Sequence, residues 1–178
     1  MVDKVKRRGL TRKELIERAR KIKFVLTDSD GVLTDTGVYY GENGEMLKRF
    51  SIRDGMGVER LKLLTGIETG IITGENSEPV KRRAEKLNIT ELYLHCKDKA
   101  AQLDKILIAK NLEASEVAYI GDDTNDLEII ERVGLSACPA DAVSFVKKTA
   151  DYICSSKGGG GAFREFVELI IFAQTEAK

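Results

Sequence analysis

Asp28 and Asp30 stand one residue apart, with Gly31 next, behind the strand-forming run Phe24, Val25 and Leu26. Two carboxylates at a strand tip can divide labour, one attacking an electrophile while the other moves protons. Three further groups share this character: Thr73 with Gly74, Lys99, and Gly121 with Asp122 and Asp123, where Asp126 lies one helical turn beyond Asp122. Carboxylates brought within a few ångströms repel, and each is driven toward protonation unless a cation neutralises it. An all-oxygen set without His or Cys suits a hard ion, and a threonine and a lysine suit the oxygens of a tetrahedral anion. Together they point to Mg2+ beside a phosphate. Taken singly, D-x-D and G-D-D are ordinary turn sequences; the inference rests on their falling in order on successive strand ends.

That placement requires a parallel sheet, and the hydrophobic pattern supplies one. Ile22–Thr27 is a short, nearly continuous apolar run, as for a strand buried on both faces. Further strands are read at Thr69–Thr73, in "ELYLHC", in "EVAYIGDD", in "LSACPA" and in "ADYICS". Helices are read between them: Thr11–Ala19 with a Thr11/Glu14 capping box, Val58–Thr65 stopped by Gly66, Pro79–Leu87, Lys99–Lys110, Asn125–Val133, "DAVSFVKKT" and Phe163–Ala173. Val38–Tyr40 and Met46–Ile52 form a β-hairpin around "GENG", within residues 36–52. Strands alternating with helices give an α/β fold with a doubly wound, mostly parallel, Rossmann-like sheet, in which ligands sit off the carboxyl ends of the strands.

Composition narrows the class. The 178 residues suit a single domain, with a basic helical segment over residues 1–20 whose Lys4–Arg8 run reads as a solvated arm. Twenty-nine basic residues balance twenty-nine acidic ones, which argues against nucleic acid or a membrane surface as partner. No apolar run reaches membrane-spanning length, and the basic N-terminus lacks the apolar core of a signal peptide. Cys96, Cys138 and Cys154 are odd in number and form no C-x-x-C pair, so the expectation is a cytoplasmic protein without a zinc site.

"DSDGVLTD", "IITG", "KDK" and "GDDTND" resemble the four motifs of the haloacid dehalogenase superfamily of phosphohydrolases. The resemblance implies roles. Asp28 would be the nucleophile that forms an aspartyl-phosphate, and Asp30 the acid and then the base. Thr73 and Lys99 would hold phosphoryl oxygens. Mg2+ would be bound by Asp28, the backbone carbonyl of Asp30 and Asp122, with Asp126 as a further ligand or close beside. Ser29 departs from the aliphatic residue more usual between the two acids.

The gaps Gly31–Ile72 and Gly74–Asp98 leave no room for a cap domain, and the hairpin and the tail "GGGGAFREFVELI" resemble the superfamily's capless tetrameric branch. That branch acts on phosphates of 2-keto-3-deoxy sugar acids. The resemblance implies a homotetramer joined by its hairpins, with residues 157–178 of one subunit reaching over the neighbour's site. It also implies that Arg53, Gly74, Glu75, Arg83 and Lys86 meet the sugar acid. Glu75 stands where enzymes for 3-deoxy-D-manno-octulosonate (KDO) 8-phosphate usually carry Arg. The "TGE…RAEK" pattern therefore leans toward 9-phosphates of nine-carbon acids, 2-keto-3-deoxynononate (KDN) or N-acetylneuraminate, whereas "RDG" matches the eight-carbon type. One alternative is a non-catalytic module like that of animal sialate cytidylyltransferases, which "DYICSSKGGGGAFREF" also resembles. A receiver-type signalling domain fits less well, because no acid follows its phosphoacceptor as Asp30 follows Asp28. His95, Cys96 and Cys138 read as packing or surface residues.

Overall fold

The computed structural model describes residues 10–176, so the Lys4–Arg8 arm lies outside the described residues. In chain order the elements are α1 (Arg12–Ala19), β1 (Phe24–Thr27), β2 (Thr34–Gly41), β3 (Gly44–Phe50), α2 (Ile52–Thr65), β4 (Glu68–Ile72), α3 (Glu78–Lys86), β5 (Glu91–Tyr93), α4 (Lys99–Lys110), β6 (Val117–Ile120), α5 (Leu127–Arg132), β7 (Leu135–Cys138), α6 (Ser144–Thr149), β8 (Tyr152–Ile153) and α7 (Ala162–Thr175). Six strands form a sheet in the order β5-β4-β1-β6-β7-β8, and every pairing is parallel. The hairpin β2–β3 forms a separate antiparallel ribbon. Among the described residues no helix is long and apolar enough to cross a membrane.

Strand alternation divides the core into two layers. Val25, Ala118 and Ile120 face one layer with Val58, Leu61, Val80, Phe163 and Phe166, so that α1, α2, α3 and α7 cover this side. Phe24, Leu26, Val117 and Tyr119 face the other, against Leu103, Ile106, Ile129 and Val146 of α4, α5 and α6. The expected doubly wound sheet is therefore what the chain forms. β1 lies at its centre, between β4 and β6, and the loops that follow these three strands open on one edge.

Two local expectations are corrected. Helix α2 begins at Ile52, not Val58, with the Ser51 hydroxyl capping the amides of Arg53 and Asp54. Gly55 and Gly57 argue against a helix locally, but tertiary packing uses them: a β-carbon on Gly57 would lie 3.2 Å from the Arg164 Cα, where α7 crosses. The helix read from Asn125 opens instead as a 3-10 turn at Thr124–Asp126. Within the chain, Gly158 and Gly159 pack against the loop that follows β1. A β-carbon on Gly158 would lie 1.9 Å from the Gly31 carbonyl oxygen, and the Gly159 amide donates to the Val32 carbonyl at 2.9 Å. Close approach of two backbones is what these glycines permit.

Helix α7 then buries Phe163, Phe166 and Ile170 completely. Its N-terminus is capped from a distance, because Gly161 has no side chain to do it. Buried Asp54, on α2, accepts from the Gly161 amide at 3.2 Å and the Arg164 amide at 2.9 Å. Nearby, Glu165 accepts from Tyr152 Oη, the Ser155 amide and hydroxyl, and the Ser156 amide. Burial would raise its carboxyl, but these donors outweigh it and hold it at about 2. Replacing Asp54 by Ala should leave two amides at a buried helix end without partners and cost about 1–3 kcal/mol. Urea unfolding checks this; an unchanged midpoint would show that the cap does not anchor α7.

Candidate active site

Four chain segments converge at the carboxyl edge. Asp28 follows β1, Thr73 follows β4, Asp122 follows β6, and Lys99 opens α4. The carboxylates of Asp28, Asp122 and Asp126 each place an oxygen within 4.8 Å of the others. This closeness depends on missing side chains: a β-carbon on Gly31, at φ +83°, would lie 2.0 Å from Asp122 Oδ2, and one on Gly121 would lie 2.5 Å from Asp126 Cγ. Lys99 Nζ sits between two of the acids, 2.9 Å from Asp28 Oδ2 and 2.6 Å from Asp126 Oδ1. Asp126 is fully buried and saturated, accepting also from Tyr119 Oη at 2.5 Å and from the amides of Asp122 and Asp123 at 2.9 and 3.2 Å.

One ammonium does not balance three carboxylates. Burial, followed by the neighbouring Asp126 charge, pushes the Asp28 carboxyl well above the ordinary range despite Lys99. Burial together with Asp126 and Asp123 raises Asp122 to about 7. Burial alone would lower the Lys99 ammonium, but Asp28 and Asp126 overcome it and leave it raised. The cluster thus holds an excess of negative charge that either protons or a cation must cancel. Oxygens around Mg2+ lie about 2.1 Å from the ion, so opposite ligands stand about 4.2 Å apart. The observed spacing therefore fits a hard divalent ion with little closure, and the donor set contains no soft ligand.

The cavity beside the cluster holds about 300 Å³ and is lined by Asp28, Asp30, Thr36, Thr73, Gly74, Glu75, Asp122, Asp123, Thr124 and Asn125. The sequence reading places Asp28, Asp30, Thr73, Gly74, Glu75 and Asp122 here, and the structure brings all six together. Thr73 is buried, and its hydroxyl accepts from the Glu75 amide at 3.3 Å. Lys99 lies behind the acids and does not line the open cavity.

Three basic residues expected to meet the substrate do not line this cavity within one chain. Arg53 is exposed on the first turn of α2, and Lys86 is exposed at the end of α3. Arg83 serves the fold, donating to the Ser51 carbonyl at 2.8 Å and lying over the Phe50 ring at 5.7 Å. Sequence reasoning passed over Thr36 and Lys48. Thr36 lines the cavity at φ +66°, a conformation rare for a β-branched residue and invisible in sequence. Lys48 bonds the Asp30 carboxylate.

Residues 71–165 match the family of haloacid dehalogenase-like hydrolases. The 3-deoxy-D-manno-octulosonate 8-phosphate phosphatase KdsC of Yersinia pestis is 40% identical over 161 residues, covering 90% of this chain and 86% of the relative. The chain belongs to the haloacid dehalogenase-like hydrolase family. Its structure superposes with a TM-score of 0.88 on a probable YrbI family phosphatase from Pseudomonas syringae, at 44% identity and 92% coverage of both chains. A 3-deoxy-D-manno-octulosonate 8-phosphate phosphatase from Moraxella catarrhalis, solved in complex with magnesium ion, phosphate ion and KDO, gives a TM-score of 0.88 at 36% identity, covering 93% of this chain and 94% of that one. Membership in this hydrolase family, with every motif acid, Thr73 and Lys99 in place, leaves the non-catalytic alternative without support.

Charge crowding has a measurable sign in the metal-free protein. The Asp122 carboxyl keeps its proton in the fold up to about 7, against an ordinary 3.8. The folded state thus binds more protons than the unfolded one in that window, and stability falls as pH rises through it. In EDTA, Asp122→Asn should gain in melting temperature relative to the parent between about pH 5 and about pH 8. A difference that stays constant with pH would mean the carboxylate is not under this strain.

Proposed function

We propose that the chain is a Mg2+-dependent phosphatase that releases inorganic phosphate from a phosphorylated 2-keto-3-deoxy sugar acid, with KDO-8-phosphate as its substrate. The observation that carries this reading is the Asp28–Asp122–Asp126 cluster paired with Lys99 at the open end of the sheet. The relatives' names support the substrate, since the Yersinia and Moraxella proteins carry that activity in theirs.

In this reading a carboxylate oxygen of Asp28 attacks phosphorus and forms an aspartyl-phosphate. Asp30 gives its proton to the departing alcohol oxygen. It then takes a proton from the water that attacks the acyl phosphate, which releases phosphate and restores Asp28. The Thr73 hydroxyl and the Lys99 ammonium offset charge on the phosphoryl oxygens. Asp28, the Asp30 carbonyl and Asp122 hold the ion, and Asp126 steadies Lys99 and the Asp122 amide. When bound, Mg2+ supplies the positive charge that allows these carboxylates to stay ionised beside a phosphate.

Glu75 supports a second reading of the substrate. It lines the cavity, where its charge would oppose an acid or favour a different hydroxyl pattern. On that reading a nine-carbon acid, KDN-9-phosphate or N-acetylneuraminate 9-phosphate, is preferred. Gly74 allows the sugar to approach the backbone in either case. Assembly into a homotetramer is supported by the hairpin, which leaves Tyr39, Tyr40, Met46 and Leu47 exposed. In such an assembly the exposed Arg53 and Lys86 would be free to meet the sugar acid bound by a neighbouring copy, whereas Arg83 is engaged within its own chain. The three free cysteines support a reducing, cytoplasmic setting.

Phosphate release from p-nitrophenyl phosphate and KDO-8-phosphate should vanish in EDTA and return with Mg2+, and full turnover in EDTA would sink the metal's role. Asp28→Asn should lower kcat by at least about a thousand-fold on both substrates, and retained activity would move the nucleophile elsewhere. For specificity, kcat/KM on KDO-8-phosphate should exceed that on KDN-9-phosphate by about ten-fold or more, ~1.4 kcal/mol. The reverse order would transfer the assignment to the nine-carbon acids.

A further inference from the structure

Lys48 sits on β3 where strand alternation turns it inward, between exposed Leu47 and exposed Arg49. Its side chain is 1% exposed, so the ammonium has left water and needs partners in the protein. It has two. Nζ lies 2.7 Å from Asp30 Oδ1 and 2.8 Å from Asp30 Oδ2, and 3.1 Å from Glu45 Oε2. Glu45 is held in turn by the Ser77 hydroxyl, whose oxygen also caps the Val80 amide at the start of α3. Asp30 meanwhile faces the cavity, and its remaining side-chain contact, the Thr34 hydroxyl at 3.5 Å, is long.

We propose that Lys48, braced by Glu45, is a positioning residue that fixes the Asp30 carboxyl for proton transfer to the leaving group. The proposal rests on the reading of Asp30 as the acid and goes beyond it, because nothing in the four motifs includes the hairpin. The physical case is orientation. A carboxyl on a loop rotates about two bonds, and proton transfer needs one rotamer aimed at the ester oxygen. An ammonium bonded to both oxygens removes that freedom. Glu45 and Ser77 stop the ammonium itself from drifting, so the hairpin and the start of α3 share in setting Asp30.

A merely structural ion pair would affect all substrates alike, whereas a group that serves the acid matters most when the leaving group is poor. The test measures kcat/KM, which reports steps up to departure of the leaving group, on the Mg2+-loaded enzyme. KDO-8-phosphate, with an alkoxide leaving group, is compared with p-nitrophenyl phosphate, whose phenolate leaves without a proton. Lys48→Met should lose about ten- to a hundred-fold on the sugar phosphate and no more than about three-fold on the aryl phosphate. Combined with Asp30→Asn it should lose no more than Asp30→Asn alone. Equal losses on the two substrates, or losses that multiply in the double variant, would overturn the role of Lys48. If Asp30→Asn itself showed no preference between substrates, the acid assignment would fall first. Should Lys48→Met not fold, Glu45→Gln keeps the lysine and removes its brace. It should show the same substrate preference at smaller size, and a uniform loss there overturns the proposal equally.

Discussion

Repulsion among buried carboxylates is the constraint around which this structure is arranged. Asp28, Asp122 and Asp126 lie closer than they would in water, and one ammonium is placed among them. Lys99 is the first residue of α4, where the helix dipole disfavours a cation. It is held there by the two acids it touches. The glycines at 31 and 121 follow from the same demand, since a β-carbon at either would collide with a carboxylate. A site built this way stores unfavourable charge until protons or a cation cancel it, and that imbalance is a usual mark of catalytic ground.

The rest of the fold keeps this edge rigid. β1 carries Asp28 between two parallel neighbours and has no exposed residue. The loop after it is supported from behind by the tail, through the Gly159 amide on the Val32 carbonyl and the contact of Gly158 with Gly31. Asp54 and Glu165 fasten the start of α7, so the support is itself anchored. The glycine run is a seat for the loop bearing both acids.

What was legible in the sequence was what short-range chemistry decides. The capping box of Thr11 and Glu14 and the Lys99–Lys110 helix fall where their residues say they should. The motif acids and Thr73 meet because each is pinned to a strand end, and parallel topology brings strand ends together. The misreadings share a physical cause, dependence on a partner distant in the chain. Gly55 and Gly57 look like helix breakers until Arg83 and Leu87 pack on the first and α7 crosses the second. Asp54 reads as part of a substrate motif, yet its partners lie more than a hundred residues on. Lys48 resembles a solvated strand residue, and its burial depends on Asp30, eighteen positions earlier.

The hairpin draws these strands of reasoning together. A two-stranded ribbon is marginal alone, and this one presents Tyr39, Tyr40, Met46 and Leu47 to solvent rather than to the core. Its attachment to the domain includes an ion pair from Lys48 to Asp30 and a hydrogen bond that the Ser77 hydroxyl donates to Glu45. The ribbon's exposed apolar side chains call for a cover, while its Lys48 reaches Asp30. A partner seated on the ribbon would therefore also limit its motion, and through the Lys48–Asp30 pair the freedom of Asp30. On the reading proposed above, assembly through the hairpin would order the Asp30 carboxyl and so supply part of the preorganisation that a closing lid supplies elsewhere.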